Sequence, residues 1–385
     1  MARVWLSLAH MGGAERDFVK EAFDTNWVVP LGPNVNGFEN DLEQWLNQKS
    51  DHENHVVALS AGTAAIHLGL VMLGVGKGDE VICQSFTFAA SANPITYQGA
   101  TPVFVDSETD TWNMDPGLLE EAIHDRINKT GKKPKAIIPV YLYGNPAKIG
   151  QIMAVASKYD IPVLEDSAEA MGSTYDGFHC GTFGRFGVMS FNGNKMITTS
   201  GGGALICRSK EDADRVKFYA TQARENFPYY QHERIGYNYR LSNVSAGIGR
   251  GQMQVVDQHL ARRIEIHHMY ASMLSGVEGI SVMEPKADRP IGPNYWLSCI
   301  CVDAERLGGK DYRTLANLLA SHDIESRPLW KPMHLQPVFS QAPAYINGVS
   351  ERMFNCGLCL PSGPMVSNDD VERIVDIIKG FVIER

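Results

Sequence analysis

The sequence lacks the features of membrane-spanning and nucleic-acid-binding proteins. No apolar run approaches the roughly 20 residues that a membrane-spanning helix needs. Lysine and arginine total 35 against 44 aspartate and glutamate, which gives a formal net charge of -9. A protein that neutralises the phosphates of a nucleic acid needs a basic surface stripe, and this chain has an acidic balance instead. We therefore expect neither a membrane nor a nucleic acid among its partners.

Cysteine is sparse and does not form a metal-binding pattern. The chain has seven cysteines, and the two closest pairs, Cys299/Cys301 and Cys356/Cys359, do not predict a zinc site. An odd number of scattered thiols is typical of a reducing compartment. The first residues, MARVWLSLAHMGGAE, match a secretory signal peptide poorly. These features predict a cytoplasmic protein without a bound metal.

What the sequence does contain is the patterning of a large globular protein. Hydrophobic residues make up 44% of the 385 residues and charged residues 21%, as in soluble domains. The predicted strands are Val56–Leu59, Glu80–Cys83, Pro102–Asp106, Ala136–Val140, Pro162–Asp166, Gly187–Phe191 and Gly203–Arg208. The predicted helices between them are Thr63–Leu73, Phe88–Tyr97, Pro116–Asn128 and Lys148–Tyr159. This alternation predicts an α/β fold with a mostly parallel central sheet and helices on both faces.

The pattern changes in the C-terminal part of the chain. The spacing of apolar residues predicts one long helix over Leu241–Leu274, followed by short apolar runs and two final helices. We therefore predict two domains. Residues 1–255 form an N-terminal segment and a large domain, and residues 256–385 form a smaller α+β domain.

The first candidate site follows the first predicted strand. Ser60, Ala61, Gly62 and Thr63 lie between that strand and the next helix. Free backbone N–H groups and the positive end of the helix dipole would face a ligand above the sheet, and Gly62 would let a phosphate approach closely. The alternative is that Ser60 only caps a core helix.

A second candidate site is acidic. Glu165 and Asp166 stand at the carboxyl end of a predicted strand, and Glu169 follows them. Asp166 would emerge above the sheet near its centre, because the carboxyl ends of parallel strands share one edge. A carboxylate there can keep a pyridinium nitrogen protonated or bind a metal, or it can only cap the next turn.

The third candidate site contains a lysine among small polar residues. Lys195 follows an apolar strand, and the glycine triplet Gly201–Gly203 lies shortly after it. A lysine that is partly desolvated at a strand end can have a lowered pKa and form a Schiff base with an aldehyde. Most loop lysines are merely solvated, but three consecutive glycines permit close approach of a ligand or of another chain.

Together the three sites match one cofactor. A phosphate cradle, a carboxylate for a ring nitrogen and a Schiff-base lysine on one α/β sheet are the groups that pyridoxal phosphate needs. Phe86 and Phe88 follow another predicted strand, and either ring could lie face-on against the cofactor. For one of the two, packing in the core is the expected role.

The motifs that carry these residues resemble those of the DegT/DnrJ/EryC1/StrS family of sugar aminotransferases, over essentially the whole chain. These motifs are Ser60–Thr63, Ser85–Phe88, Glu165–Glu169, Ser190–Lys195, Gly201–Gly203 and Gly236–Asn243. Within the family, the likeness is greatest to the C4 aminotransferases that act on UDP-4-keto-6-deoxy-N-acetylglucosamine in the bacillosamine pathway. The motifs behind that closer likeness are Leu142–Asn145, Thr221–Asn226, Arg327–His334 and Leu360–Gly363.

The resemblance implies fold type I of the pyridoxal phosphate enzymes and a role for each matching residue. Lys195 would form the Schiff base and then move a proton between substrate and cofactor, and Asp166 would pair with the pyridinium nitrogen. Phe88 would stack on the ring. The remaining cofactor-binding residues implied are Gly62, Thr63, Ser190, Glu169 and Asn238. The family usually has glutamine in place of Glu169, near the phenolic oxygen of the cofactor, so Glu169 is either protonated or turned toward the substrate.

The resemblance also implies a shared active site in a homodimer. In the family, a polar residue of the neighbouring subunit completes the phosphate site, and Asn238 is the first candidate, with Arg240 second. The amino donor would be L-glutamate and the acceptor a nucleotide-linked keto sugar. Candidate substrate-binding residues are Trp27, Val28, Arg327, Trp330, Lys331 and His334. Each of these is about as readily explained as part of a rigid turn with exposed charges.

Three other functions remain open at this stage. A related branch of the family performs dehydration and has histidine in place of the Schiff-base lysine, so Lys195 favours transamination. A lyase or a desulfurase would need its own substrate acids or a mobile cysteine. A regulator that keeps the fold without the chemistry would have no need for an intact Lys195, Asp166 and phosphate cradle.

Overall fold

The computed structural model describes residues 3–383 as a large mixed β-sheet covered by helices and a smaller antiparallel sheet near the C-terminus. The α-helices are α1 (Glu15–Asp24), α2 (Pro33–Asn47), α3 (Gly62–Met72), α4 (Asn93–Tyr97), α5 (Pro116–Thr130), α6 (Ile149–Lys158), α7 (Lys210–Ala220), α8 (Asn243–Met253), α9 (Val256–Met273), α10 (Tyr312–Ser321), α11 (Val349–Cys356) and α12 (Asn368–Ile383). The β-strands are β1 (His55–Leu59), β2 (Glu80–Gln84), β3 (Thr101–Val105), β4 (Ala136–Ile138), β5 (Leu164–Asp166), β6 (Thr174–Tyr175), β7 (Phe178–His179), β8 (Phe186–Ser190), β9 (Gly203–Cys207), β10 (Ile280–Val282), β11 (Ile291–Gly292), β12 (Ser298–Val302), β13 (Arg327–Pro328), β14 (Ala344–Tyr345) and β15 (Gly357–Leu360).

The central sheet has the strand order β1-β9-β8-β5-β4-β2-β3-β14. Strands β8 and β5, β4 and β2, and β2 and β3 pair in parallel, and parallel bridges from Ile137 to Val163 and from Val140 to Asp166 join β4 to β5. Strand β9 runs antiparallel to both of its neighbours. The predicted α/β fold with a mostly parallel sheet is therefore confirmed, with one reversed strand. The carboxyl ends of β1, β8 and β5 consequently meet at one edge.

Helices cover both faces of this sheet because consecutive strand residues point to opposite sides. Val81 and Cys83 pack with residues of α3 and α7, whereas Ile82 packs with residues of α5 and α6. Helix α5 begins where the Asp115 carboxylate accepts the N–H groups of the first turn, and it ends at Gly131 with φ of +70°. Both faces of the sheet are thus buried, as expected for a strand pattern without polar alternation.

The smaller sheet has the order β10-β12-β15-β13, and its residues pack with those of α9, α10 and α12 in a separate hydrophobic core. Two contacts link this part of the chain with distant segments. Val4 pairs with Ile324 and lies in the smaller core, and β14 extends the large sheet beside β3. The proposed division at residue 255/256 stays a prediction. In the structure, Val4 lies in the smaller core and β14 belongs to the large sheet, so a single division does not separate the two parts completely.

The prediction of one helix over Leu241–Leu274 is wrong. The structure has α8 and α9 separated by Gln254 and Val255, and α8 begins only after the Ser242 hydroxyl, which caps it. The last turn of α8 contains Gly251, where a Cβ atom would lie 2.5 Å from the Glu15 amide nitrogen of α1. Close packing on α1 thus requires glycine, which favours ending the helix here. No helix within residues 3–383 is long and apolar enough to cross a bilayer.

Candidate active site

A cavity of about 360 Å³ lies at the edge where the parallel strands end. Seven of the eight residues predicted to bind the cofactor line it: Gly62, Thr63, Phe88, Asp166, Glu169, Ser190 and Lys195. They come from four separate segments of the chain, and the sheet order brings these segments together. The three candidate sites of the sequence therefore form one site.

The side chain of Lys195 is held between a carboxylate and an aromatic ring. Its Nζ atom lies 3.3 Å from Oε1 of Glu169 and 3.9 Å from the centre of the Trp296 ring. Only 13% of the side chain is exposed. The amine is therefore fixed in a largely dry setting with its free side toward the cavity, as a reactive lysine requires.

Asp166 is a buried carboxylate with defined partners. The Ser91 hydroxyl donates to Oδ2 at 2.6 Å, and the Ala168 N–H donates to Oδ1 at 3.2 Å. Burial raises the pKa of the Asp166 carboxyl, while the Ser91 hydrogen bond and the charge of Lys195 act in the opposite direction. A buried carboxylate of this kind is stabilised by a cation beside it, so the site favours a ligand with a protonated ring nitrogen.

Glu169 accepts hydrogen bonds on both carboxylate oxygens. Oε1 faces the Lys195 amine, and Oε2 accepts the Tyr143 N–H at 2.7 Å. Burial raises the pKa of the Glu169 carboxyl, and the Lys195 charge lowers it. Since both partners are donors, the ionised form fits these contacts. Tyr143 has a φ of +55°, which is uncommon for a residue other than glycine.

The start of α3 forms the expected cradle for an anion. Among the described residues, no side chain caps this helix, so its first N–H groups are available to a ligand. A Cβ atom on Gly62 would lie 3.1 Å from Cβ of Ser190, and one on Gly203 would lie 2.4 Å from the Gly62 amide nitrogen. The alternative of a Ser60 cap is therefore wrong. The glycine triplet approaches this cradle in its own chain, with Gly201 and Gly202 lining the cavity.

The two phenylalanines have different environments. Phe86 is fully buried, and its ring lies 6.5 Å from that of Tyr143 in an edge-on arrangement. Phe88 is 54% exposed and lines the cavity, with its ring 5.3 Å from that of Trp330. Phe86 is therefore a core residue, and Phe88 is available for stacking.

Several site residues were missed by the sequence analysis. Thr87 and Ser91 form a hydroxyl chain of 2.7 Å and 2.6 Å that ends on Asp166. Trp296 was missed as well, and it stacks with Tyr143 at a centroid distance of 6.4 Å, as the predicted substrate residue Trp330 does at 6.2 Å. Thr87 could have been found because it stands inside the quoted Ser85–Phe88 motif, but nothing near Trp296 in the sequence signals a site.

A second cavity of about 470 Å³ adjoins the first and shares Asn194, Trp296 and Trp330 with it. Arg327 lines this second cavity and forms a 2.8 Å ion pair with Glu325. Most of the Arg327 side chain is exposed, so an anionic ligand can reach it. The two cavities thus combine a basic group, a carboxylate and aromatic faces.

The other predicted substrate residues lie outside both cavities. Trp27 is exposed, and its carbonyl accepts the Asn243 side-chain amide at 3.0 Å. His334 binds the Ser85 hydroxyl at 2.7 Å, and burial lowers the pKa of its imidazole. Lys331 is exposed. Substrate contacts of these three residues stay predictions.

Asn238 is exposed and does not line the cavity of its own chain. Arg240, the second candidate for a contact across subunits, forms a 2.5 Å ion pair with buried Glu39 and also binds the Ala58 carbonyl. Because the Arg240 side chain is largely buried and paired with Glu39 in its own chain, Asn238 remains the better candidate.

Comparisons with known proteins agree with this geometry. A profile of the DegT/DnrJ/EryC1/StrS aminotransferase family matches residues 10–379. EpsN of Bacillus subtilis, provisionally described as a pyridoxal phosphate-dependent aminotransferase, is 44% identical over 380 residues, which cover 98% of this chain and 95% of EpsN. GDP-perosamine synthase of Escherichia coli O157:H7 is 36% identical over 373 residues, with 97% of each chain covered.

A solved structure gives the same result for the fold. The crystal structure of a DegT/DnrJ/EryC1/StrS aminotransferase from Brucella abortus superposes with a TM-score of 0.88 at 30% identity, covering 96% of each chain. The similarity thus extends over nearly the whole length in both sequence and fold. This chain belongs to the DegT/DnrJ/EryC1/StrS aminotransferase family.

Proposed function

We propose that this protein is a pyridoxal phosphate-dependent aminotransferase that moves the amino group of L-glutamate to a nucleotide-linked keto-6-deoxy sugar. The observation that carries this proposal is the position of the Lys195 amine, 3.3 Å from Glu169 in a cavity that also holds buried Asp166. A binding protein of the same fold would not need a lysine held in this way.

The cavity fits pyridoxal phosphate at three points. The uncapped start of α3 offers N–H groups to the phosphate. Asp166 offers a buried carboxylate to the ring nitrogen, and Lys195 offers an amine to the aldehyde. Phe88, half exposed at the cavity wall, offers a face for the ring. When bound, the cofactor supplies an electron sink that stabilises negative charge on the substrate carbon next to the nitrogen.

The protein residues then have separable tasks. Asp166 holds the proton on the ring nitrogen, and the Ser91 hydroxyl keeps that carboxylate oriented. Lys195 carries a proton to and from the substrate carbon as a general acid and base. Glu169 and the Trp296 ring restrict the Lys195 amine to one position between them.

The second cavity is the proposed place for the substrates. Arg327 suits the carboxylate of glutamate or the diphosphate of a nucleotide sugar, because both are anions that a guanidinium binds with two donors. Trp296 and Trp330 offer apolar faces to a sugar ring where the two cavities join. Both substrates would use the cavity in turn, since the amino group passes from one to the other.

For the acceptor we propose UDP-4-keto-6-deoxy-N-acetylglucosamine, aminated at C4, on the basis of the motifs Leu142–Asn145 and Arg327–His334. A second candidate is a GDP-linked keto sugar, which the 36% identity to GDP-perosamine synthase favours. Keto sugars linked to dTDP or aminated at C3 are further members of the same class.

We also propose that the active unit is a homodimer with its sites at the subunit interface. Large apolar side chains are exposed in two segments, Trp27–Leu31 and Phe227–Ile235, and exposed patches of this kind mark interaction surfaces. Exposed Asn238 would then reach the phosphate site of the partner. A two-fold pair is the commonest form of oligomer.

A panel of keto-sugar nucleotides tests the substrate. Purified protein with pyridoxal phosphate and L-glutamate is incubated with UDP-, GDP- and dTDP-linked keto-6-deoxy sugars, and products are identified by mass spectrometry. We expect the fastest amination with the UDP-linked 4-keto sugar. Faster amination of the GDP-linked sugar would replace the first candidate by the second, and no amination of any sugar would contradict the proposed function.

A further inference from the structure

The side chain of Arg263, on α9, is buried behind the catalytic lysine. Only 1% of the residue is exposed, and within residues 3–383 it forms no ion pair with a carboxylate. A buried guanidinium without a counterion costs free energy, and the structure keeps such a group only where other contacts compensate. These contacts identify its role.

The Arg263 guanidinium donates hydrogen bonds to four separate segments. Nη1 donates to the Trp296 carbonyl at 2.6 Å and to the Ser362 carbonyl at 3.3 Å. Nη2 donates to the Ser7 hydroxyl at 3.0 Å and to the Lys195 carbonyl at 3.3 Å. Two of these acceptors are the backbone carbonyls of Lys195 itself and of Trp296, whose ring lies against the reactive amine.

The carbonyl of Asn194 is a second point that links the Lys195 turn to Ser7 and Trp296. It accepts the Ser7 hydroxyl at 2.9 Å and the Trp296 ring N–H at 2.7 Å. Arg263 and Asn194 therefore connect the Lys195 turn to Trp296 through both its backbone and its ring. The Lys195 amine lies 3.9 Å from the centre of that ring, so a shift of either segment would displace it.

The Arg263 guanidinium stays charged although it is buried. Burial lowers the pKa of Arg263 to about 9, which still leaves the guanidinium protonated at neutral pH. Its Nε atom has no hydrogen-bond partner among residues 3–383. The four hydrogen bonds therefore compensate only partly for the burial of the charge. Their effect on the fold is to hold the backbone of Lys195 and that of Trp296 in place.

We propose that Arg263 is a positioning residue that sets the Lys195 amine for its reaction with the cofactor aldehyde. The inference rests on the proposed function, because it concerns the same lysine. In that reaction the amine nitrogen forms a C=N bond with the aldehyde carbon, and the aldehyde oxygen leaves as water. Arg263 touches neither reactant, and it acts through the backbone of Lys195 and of Trp296.

The test adds two forms of the cofactor, one at a time, to cofactor-free protein and compares how each is taken up. Pyridoxal phosphate bonds to Lys195, whereas pyridoxamine phosphate fills the same cavity and has no aldehyde. The ammonium of Arg263→Lys cannot reproduce four donors in one plane. We therefore expect the rate at which this variant bonds to pyridoxal phosphate, followed by absorbance, to fall about tenfold or more. Its affinity for pyridoxamine phosphate should change less than about twofold.

Arg208→Lys is the matched control. Arg208 also donates to backbone carbonyls, those of Gly184 and Thr182, at 2.7 Å and 3.1 Å, away from the cavity. We expect this variant to bond to pyridoxal phosphate at the wild-type rate and to bind pyridoxamine phosphate with the wild-type affinity. An Arg263→Lys variant in which the bonding to pyridoxal phosphate and the binding of pyridoxamine phosphate were weakened equally, or in which the bonding rate was unchanged, would overturn the inference. Wild-type protein that bound neither form would instead contradict the proposed function.

A milder variant keeps the test independent of folding. Ser7 is only half-buried, and Ser7→Ala removes one acceptor of Arg263 and one donor to Asn194. We expect the same selective slowing at smaller size, about two- to fivefold. Equal effects of Ser7→Ala on both cofactor forms, or none on the bonding rate, would again overturn the inference.

Discussion

The Nζ atom of Lys195 lies 3.9 Å from the centre of the Trp296 ring. The lysine follows β8 of the large sheet, and the tryptophan precedes β12 of the smaller sheet. The reactive amine is thus positioned jointly by the two sheets. The Trp296 ring N–H donates to the Asn194 carbonyl at 2.7 Å, so ring and lysine turn are fixed to each other. Any movement of one sheet relative to the other would therefore displace the Lys195 amine.

Replacing Asp166 by asparagine should preserve cofactor binding and lower the rate. The amide is similar in size, but it cannot keep the ring nitrogen protonated, so we expect turnover to fall roughly 10²-fold or more. Ser91→Ala is the comparison, since it removes only one hydrogen bond to the carboxylate and should lower the rate less than about tenfold. Turnover and bound cofactor are measured together. An Asp166→Asn variant with a near-normal rate would mean that Asp166 only caps a turn.

Gly203→Ala should weaken cofactor binding. The added Cβ would lie 2.4 Å from the Gly62 amide nitrogen and must displace the start of α3, which we expect to cost roughly 1–3 kcal/mol. Gly193→Ala serves as control, because in the described part of the chain no atom beyond its two chain neighbours lies within 4 Å of its added Cβ. Cofactor dissociation constants are measured by absorbance titration. Equal affinities of the two variants would contradict the close approach of β9 to the cradle.

The stability should depend on pH through His179. Burial, with a smaller effect of Lys49, lowers the pKa of His179 to about 4, and its ring stacks on Trp45 at 4.2 Å. The unfolded chain takes up this proton near pH 6.5, so His179 lowers the free energy of unfolding as pH falls from about 6.5 to about 4, by on the order of 3 kcal/mol in total.

His179→Phe keeps the ring and removes this titration. The free energy of unfolding of the wild type, minus that of the variant, should therefore decrease as pH falls through this window, measured by urea titration at each pH. Burial raises the pKa of Glu165 and Asp166 and gives an opposite pH dependence, but it acts in both proteins and cancels in the difference. A difference that is constant with pH would show that His179 does not titrate in this way.

The proposed homodimer should show complementation between subunits. If Asn238 serves the partner's site, a heterodimer of Asn238→Ala and Lys195→Ala chains has one site with both residues intact and one with neither. Mixing the two impaired variants should then restore up to about half of the wild-type activity per mixed dimer. Activity is measured on heterodimers isolated by two tags. No recovered activity, or an active monomer in sedimentation, would contradict the shared site.

The sequence predicts the parts of this site that are local in the chain. Gly62, Asp166 and Lys195 each lie at the end of a strand or within five residues of it, and an alternating pattern places such ends along one sheet edge. Their assembly into one cavity follows from the strand order, in which β1, β8 and β5 are separated only by β9.

The parts that were missed depend on distant contacts. Trp296 reaches the lysine only because residues of the smaller sheet pack with residues that follow β2 and β4 of the large sheet, and no spacing in the sequence indicates that packing. Ser91 lies in a short helical turn, where a hydroxyl has many ordinary uses. The break between α8 and α9 depends on contact with α1, which the apolar periodicity of Leu241–Leu274 does not contain.

The most direct test of amino transfer through Lys195 follows the nitrogen itself. Wild-type protein and Lys195→Ala, each with pyridoxal phosphate, are incubated with heavy-nitrogen L-glutamate and a nucleotide-linked keto-6-deoxy sugar, and the sugar is analysed by mass spectrometry. We expect the labelled amino group in the wild-type product and none with Lys195→Ala, whose circular dichroism should match the wild type because the core is untouched. Labelled product from pure Lys195→Ala at the wild-type rate, or no label from the wild type with any sugar of the panel, would contradict the account.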